Sequence, residues 1–164
     1  MNSGAVVAIG IRRMTNAAEA DACAAIMTST EPWLTLGRSK DHALRMLLDP
    51  LRTVFVAIDN GVVQGFIVLV LQGSFVGYIQ TIAVAERARG SGLGTRLMAY
   101  AEQEIFRVSP NVFMCVSDFN EGAQRLYSRL GYERVGELKD YVVRGHSEIL
   151  LRKTRGPLAE FQAP

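Results

Sequence analysis

Cysteine is scarce in this chain, with Cys23 and Cys115 the only two among 164 residues. Two thiols cannot build a disulfide framework, and neither stands at a metal-ligand spacing, so no metal site is expected. Long hydrophobic runs are also missing. The longest apolar stretch, Phe66 to Leu71, falls far short of the roughly 20 residues that cross a bilayer. The N-terminus lacks the basic-then-apolar order of a secretory signal. Nor does one sign of charge dominate. A net charge of +2, with basic and acidic residues interspersed, leaves no broad footprint for nucleic acid. Repeats and low-complexity segments are absent. These gaps leave a soluble, cytoplasmic protein with neither membrane nor nucleic acid as partner; a homodimer stays open.

The composition is that of a globular domain, with 49% hydrophobic and 21% charged residues. The length suits one domain with a proper core. Periodicity predicts strands over 6–14 and 53–58, then 62–71 after a turn at Asp59-Asn60-Gly61, and 75–84. It predicts helices over 16–27 and 120–130, and a short one with Leu44, Leu47 and Leu48 at i, i+3, i+4. A further helix carries Leu93, Leu97, Met98, Ala101 and Ile105 on one stripe. Strands over 112–116, 132–138 and 147–153 complete an α+β domain spanning residues 1–153. The segment 154–164 has no periodicity and reads as a loose tail.

Between the strand at 75–84 and the helix that follows lie Gly90, Gly92 and Gly94, at every second position. A strand–loop–helix with small residues is where N–H groups and the helix dipole converge on an anion. The spacing excludes two familiar phosphate loops. It lacks the G-x-G-x-x-G register of dinucleotide binding, and no Gly-Lys-Ser/Thr follows.

Arg89-Gly90-Ser91-Gly92-Leu93-Gly94 instead fits Q/R-x-x-G-x-G/A and resembles the acetyl-CoA pyrophosphate loop of the GNAT superfamily of N-acetyltransferases. "YIQTIAVAERARGSGLGTRLM" is similar to that superfamily's fourth strand, loop and helix, "NEGAQRLYSRLGYERVG" to its later Asn-to-Tyr segment, and "YVVRGHSEILLRK" to its closing strand pair. The closing segment partly resembles that of the ribosomal-protein alanine acetyltransferases. The resemblance covers about residues 50 to 153, in order.

It implies a mixed, mostly antiparallel seven-stranded sheet with about four helices and a splayed central strand pair. It further implies that main-chain groups at Ile82, Ala83 and Val84 pair with the pantetheine arm of acetyl-CoA, as a strand added to an edge. The amides of Arg89, Gly90, Ser91, Gly92, Leu93, Gly94 and Thr95 would hold the pyrophosphate, with side chains excluded there so as not to block it. Asn120 would touch the same co-substrate and cap its helix. The implied reaction is direct transfer of acetyl to a primary amine, without an acyl-enzyme. Tyr127 falls on the family's acid, since a phenol stays protonated at neutral pH and can donate to a departing thiolate. Its place in the stripe Ala123, Leu126, Tyr127, Leu130 suits a core tyrosine equally well.

The base is where the chain departs from its relatives. Gln80 and Cys115 stand where carboxylates are common in the family. Glu31, Asp118, Asp140 and Glu148 are the other candidates, each reading as a solvated surface charge. Deprotonating a lysine amine at pH 7 costs about 4.6 kcal/mol, against about 1 kcal/mol for an α-amine. A peptide α-amine is therefore favoured slightly over lysine or a small amine as acceptor. Glu31, Trp33, Gln80 and Tyr141 are expected on the acceptor side, Trp33 and Tyr141 reading equally as packing residues. His42 and His146 receive no role. The missing glutamates also motivate an alternative, a non-catalytic CoA-binding sensor or scaffold, against which Tyr127 argues.

Overall fold

Asn16 opens the first helix by accepting a hydrogen bond from the amide of Glu19 through its side chain. Glu19 reaches back to the amide of Thr15 at 2.8 Å and pairs with Arg12, so both sides of the helix start are pinned. The computed structural model describes residues 9–164, and the first-strand residues expected at 6–8 lie outside that range. The elements are β1 (Gly10–Arg13), α1 (Ala17–Thr28), α2 (Lys40–Leu47), β2 (Thr53–Asp59), β3 (Val62–Val70), β4 (Tyr78–Val84), α3 (Leu93–Ile105), β5 (Asn111–Ser117), α4 (Glu121–Arg129), β6 (Glu133–Lys139) and β7 (Ser147–Thr154). Single 3-10 turns occupy Glu86–Ala88 and Leu158–Glu160.

The seven strands form one sheet in the order β1-β2-β3-β4-β5-β7-β6. Every neighbouring pair is antiparallel except β4 and β5, which run parallel. Asn60 and Gly61 join β2 to β3 with φ of 48° and 78°, the doubly positive turn that matches the twist of a hairpin.

Alternation along the strands feeds two cores. Phe55, Ile67 and Leu69 face the cluster beneath α3 and α4, where Leu93, Leu97, Met98 and Ile105 are fully buried. Val54, Val56, Phe66 and Val68 face the cluster beneath α1 and α2, with Cys23, Ile26 and Met27. The predicted α3 stripe is buried at all five of its positions. Gly65 lets α3 approach the sheet: a Cβ there would lie 2.9 Å from the Ala83 carbonyl and 3.2 Å from Leu97.

Several expected boundaries shift. β4 begins at Tyr78 rather than at Phe75, because Gly73 and Gly77, both at φ of 90°, break the extended chain. Leu48 is not in the α2 stripe but caps that helix, 56% exposed. At the C-terminal end β7 runs on to Thr154. Arg155 then stacks its guanidinium 3.8 Å from the centre of the Phe106 ring and donates its amide to the Pro110 carbonyl. Among the described residues no helix is long and apolar enough to cross a membrane.

Candidate active site

β4 and β5 pair only at Tyr78–Phe113 and Ile79–Met114. Beyond those two rungs the strands diverge, and the β4 edge from Gln80 to Val84 faces an open gap. A bulge produces part of this: Val68 pairs with Thr81 and Leu69 with Ile79, so Gln80 has no partner on β3. An extra residue of this kind bends a strand and increases its twist. Ile82 and Val84 are half-buried on the α3 side, and Ala83 is buried on the other. The edge that an added strand would use is therefore unpaired main chain.

The glycine loop lies at the wide end of the gap. Arg87 holds it against β3, donating to the Gln64 side chain at 2.9 Å and the Val63 carbonyl at 2.6 Å. Gly90 and Gly92 have φ of 72° and 79°, left-handed conformations that favour glycine. Nothing lies within 4 Å of a Cβ built at either. The backbone conformation alone thus favours glycine at these two positions. Gly94, inside α3, faces Leu126 and Val84. Among the described residues, no backbone hydrogen bond starts from the amides of Gly90 to Thr95; the first in α3 runs from Arg96 to Gly92. Six consecutive donors at a helix N-terminus make a cradle for an anion. Ser91 turns its hydroxyl inward to the Ala88 carbonyl at 2.6 Å, and Arg89 is exposed.

A cleft of about 350 Å³ occupies the gap. Gln80, Ile82, Asn120 and Tyr127 line it, as do Glu31, Trp33 and Tyr141 from the surrounding loops. Ile82, Asn120 and Tyr127 are thereby brought together with the four residues expected on the acceptor side, while Ala83, Val84 and the loop of Arg89 to Thr95 are not part of the cleft wall. Asn120 caps α4 by accepting from the Ala123 amide at 3.2 Å. Tyr127 is 6% exposed, edge-on to Tyr132, and burial pushes its phenol up to about 12. The side-chain amide oxygen of Gln80, Oε1, is buried without a hydrogen-bond partner among the described residues.

The four candidate carboxylates separate. Asp118 is exposed, accepting from the Ser147 amide at 2.9 Å and facing His146; that amide holds its carboxyl below the usual range. Asp140 caps the β6–β7 turn through the Gly145 amide. Glu31 lines the cleft but caps its own loop at Thr35. Glu148 departs from the expected surface charge: it is 7% exposed, in the cleft wall, and accepts a 2.6 Å hydrogen bond from Ser117. Burial, reinforced by nearby Asp118, pushes its carboxyl above the ordinary range against the Ser117 hydrogen bond.

Cys115 is half-buried and lines the cleft beside Tyr78. Burial raises its thiol, so it is no ready nucleophile. Sequence reasoning passed over Tyr78, and it left His42 without a role although that side chain also lines the cleft with Arg38. Only their strand and loop neighbours in space mark them. Among the described residues no group of side chains suits a metal ion.

The family model for the acetyltransferase (GNAT) family matches residues 18–132. An aminoalkylphosphonate N-acetyltransferase of Salmonella typhimurium is 32% identical over 101 residues, covering 58% of this chain and 66% of the relative. The match thus spans just under two thirds of that relative's length. An aminoglycoside 6'-N-acetyltransferase solved with coenzyme A superposes with a TM-score of 0.75 at 20% identity, over 91% of this chain and 98% of that one. The ribosomal-protein-S18-alanine N-acetyltransferase of Escherichia coli gives 0.74 at 17% identity, over 93% and 97%. At such identities the likeness of the two structures is one of fold.

Proposed function

Since the chain belongs to the GNAT family of acetyltransferases, whose acyl donor is acetyl-CoA, we propose that it moves an acetyl group from acetyl-CoA directly to a primary amine. The observation that carries this is the opening of β4 from β5 beside six unpaired loop amides. The gap offers a strand edge to the amides of the pantetheine arm, and the loop offers donors to the pyrophosphate. Acetyl-CoA supplies an activated thioester carbonyl at the point where the strands diverge.

The chain's own groups then have two tasks. Glu148 takes a proton from the bound ammonium, directly or through one water, leaving a neutral amine to attack the carbonyl carbon. The C–N bond forms as the C–S bond breaks, and Tyr127 gives its proton to the departing sulfur. The new amide nitrogen sheds its extra proton, which returns to the Tyr127 oxygen through water, and Glu148 gives the proton it took to solvent. Tyr127, kept neutral by burial, is suited to donating. Glu148 is suited to accepting because a carboxylate raised toward neutrality is a stronger base than an exposed one. Cys115 forms no acyl intermediate in this scheme.

The acceptor is a primary amine, with α-amines easier than lysine side chains by the free energy of deprotonation. Thiol release from acetyl-CoA, followed across peptides with free and blocked N-termini and small amines, tests the reading. Release that depends on a free α-amine is expected. Release only with N-blocked, lysine-bearing peptides would overturn the preference, and binding of acetyl-CoA without release to any amine would overturn the transfer.

A further inference from the structure

We propose that an apolar groove beside the cleft seats a side group of the acceptor, so that preferred substrates are primary amines that carry a bulky apolar or aromatic group. The inference rests on the acetyl-transfer reading and deepens it.

The groove measures about 370 Å³ and is walled by Val70, Phe75, Leu138 and Leu150. Tyr78, Cys115 and Tyr141 line both it and the cleft, so the two spaces meet at the narrow end of the strand gap. Their linings differ in chemistry. Glu31, Arg38, His42 and Glu148 border the cleft, whereas no charged side chain borders the groove. An ammonium is accommodated beside Glu148, and a charged substituent placed in the groove would lose its water without gaining a partner.

The wall is built rather than incidental. Phe75 stands edge-on to Phe113, ring centres 5.1 Å apart, a favourable aromatic geometry. Yet Phe75 is 55% exposed and Tyr141 64% exposed, large apolar surfaces left uncovered where the cleft opens. Helices cover the sheet on this side only over β2 to β4, leaving the side-chain face of Cys115 and Leu150 open. A leucine- or phenylalanine-sized group laid there removes apolar area from water on both partners.

Two sources share this chemistry: a peptide with a large apolar first residue, and a free arylalkylamine. The test measures kcat/KM on the full chain with acetyl-CoA for glycinamide, leucinamide, phenylalaninamide, 2-phenylethylamine and a tetrapeptide beginning with phenylalanine. Leucinamide and phenylalaninamide are expected to exceed glycinamide by roughly 10- to 100-fold. The tetrapeptide against 2-phenylethylamine tells which source is preferred. Phe75→Ala, at an exposed site, should shrink the phenylalaninamide-to-glycinamide ratio about tenfold, and Leu150→Ala should act in the same direction. Equal rates for glycinamide and phenylalaninamide, or a ratio unmoved by both substitutions, would overturn the inference alone. A dimer seen by sedimentation that Phe75→Ala dissociates, with the ratio unchanged, would assign the groove to a second copy and overturn it too. Silence with all five amines would overturn the transfer reading and this inference together.

Discussion

The Ser117 hydroxyl donates a 2.6 Å hydrogen bond to Oε1 of Glu148, joining β5 to β7 where those two residues pair directly across the strands. The bond fixes one carboxylate oxygen. The other makes no side-chain hydrogen bond among the described residues, and Glu148 lines the cleft.

If Glu148 is the base, Glu148→Gln should lower kcat by roughly 10²- to 10⁴-fold while the affinity for acetyl-CoA is kept. The wild-type rate should fall as pH drops through the Glu148 pKa, because only the carboxylate can accept a proton. That pKa is raised by burial and by Asp118, so the acidic limb should lie above the ordinary carboxylate range of about 4.3. Tyr78, Cys115, Ser117 and Asp118 face or neighbour this carboxyl, and Ser117→Ala should shift the limb further upward by removing the donor. An unchanged profile in Glu148→Gln would leave the proton to water alone.

Tyr127→Phe removes the hydroxyl and keeps the ring against Tyr132. Turnover should drop by about 10²- to 10⁴-fold with the melting temperature and acetyl-CoA affinity nearly unchanged. The phenol, pushed up to about 12, should contribute no loss of activity below about pH 10. A wild-type rate in the variant would make this a packing residue.

Gly92→Val places a β-branched side chain at φ of 79°. The left-handed backbone costs about 1–2 kcal/mol for a side-chain-bearing residue, so the loop must either strain or rearrange its amides. Calorimetry should show acetyl-CoA affinity reduced at least tenfold, with a small fall in melting temperature. Unaltered affinity would remove the loop from the binding site.

Glu19 offers a check on the fold apart from the chemistry. The Arg12 hydrogen bond, with the Thr15 amide, lowers its carboxyl from 4.5 to about 2. A lowered pKa stabilises the fold fully above pH 4.5 and loses that contribution as pH falls toward 2. With Arg12 half exposed, solvent screening limits the pair, so Glu19→Gln should cost about 1 kcal/mol near neutrality. The difference from wild type should shrink steadily in melts between about pH 4.5 and pH 2. A constant difference down to pH 2 would assign the effect to packing.

Periodicity and local chemistry made much of this protein legible in one dimension. The α3 stripe, the Asn60-Gly61 hairpin and the glycine loop ahead of a helix depend on neighbours a few residues apart, and all three stand as expected. The resemblance carried by Arg89–Gly94 and Asn120–Tyr127 extended that reach to a mostly antiparallel seven-stranded sheet with a splayed central pair. Glu148 escaped it. Its burial depends on β7 lying beside β5 in a register that sets it against Ser117, 31 residues earlier in sequence, and a charged residue in a strand ordinarily reads as solvent-facing. The bulge at Gln80 and the uncovered face beside Phe75 are likewise decided by how strands pair and where α1 and α2 stop. Those are long-range packing outcomes: the same side chains acquire a raised proton affinity or an apolar wall only when distant segments remove their water.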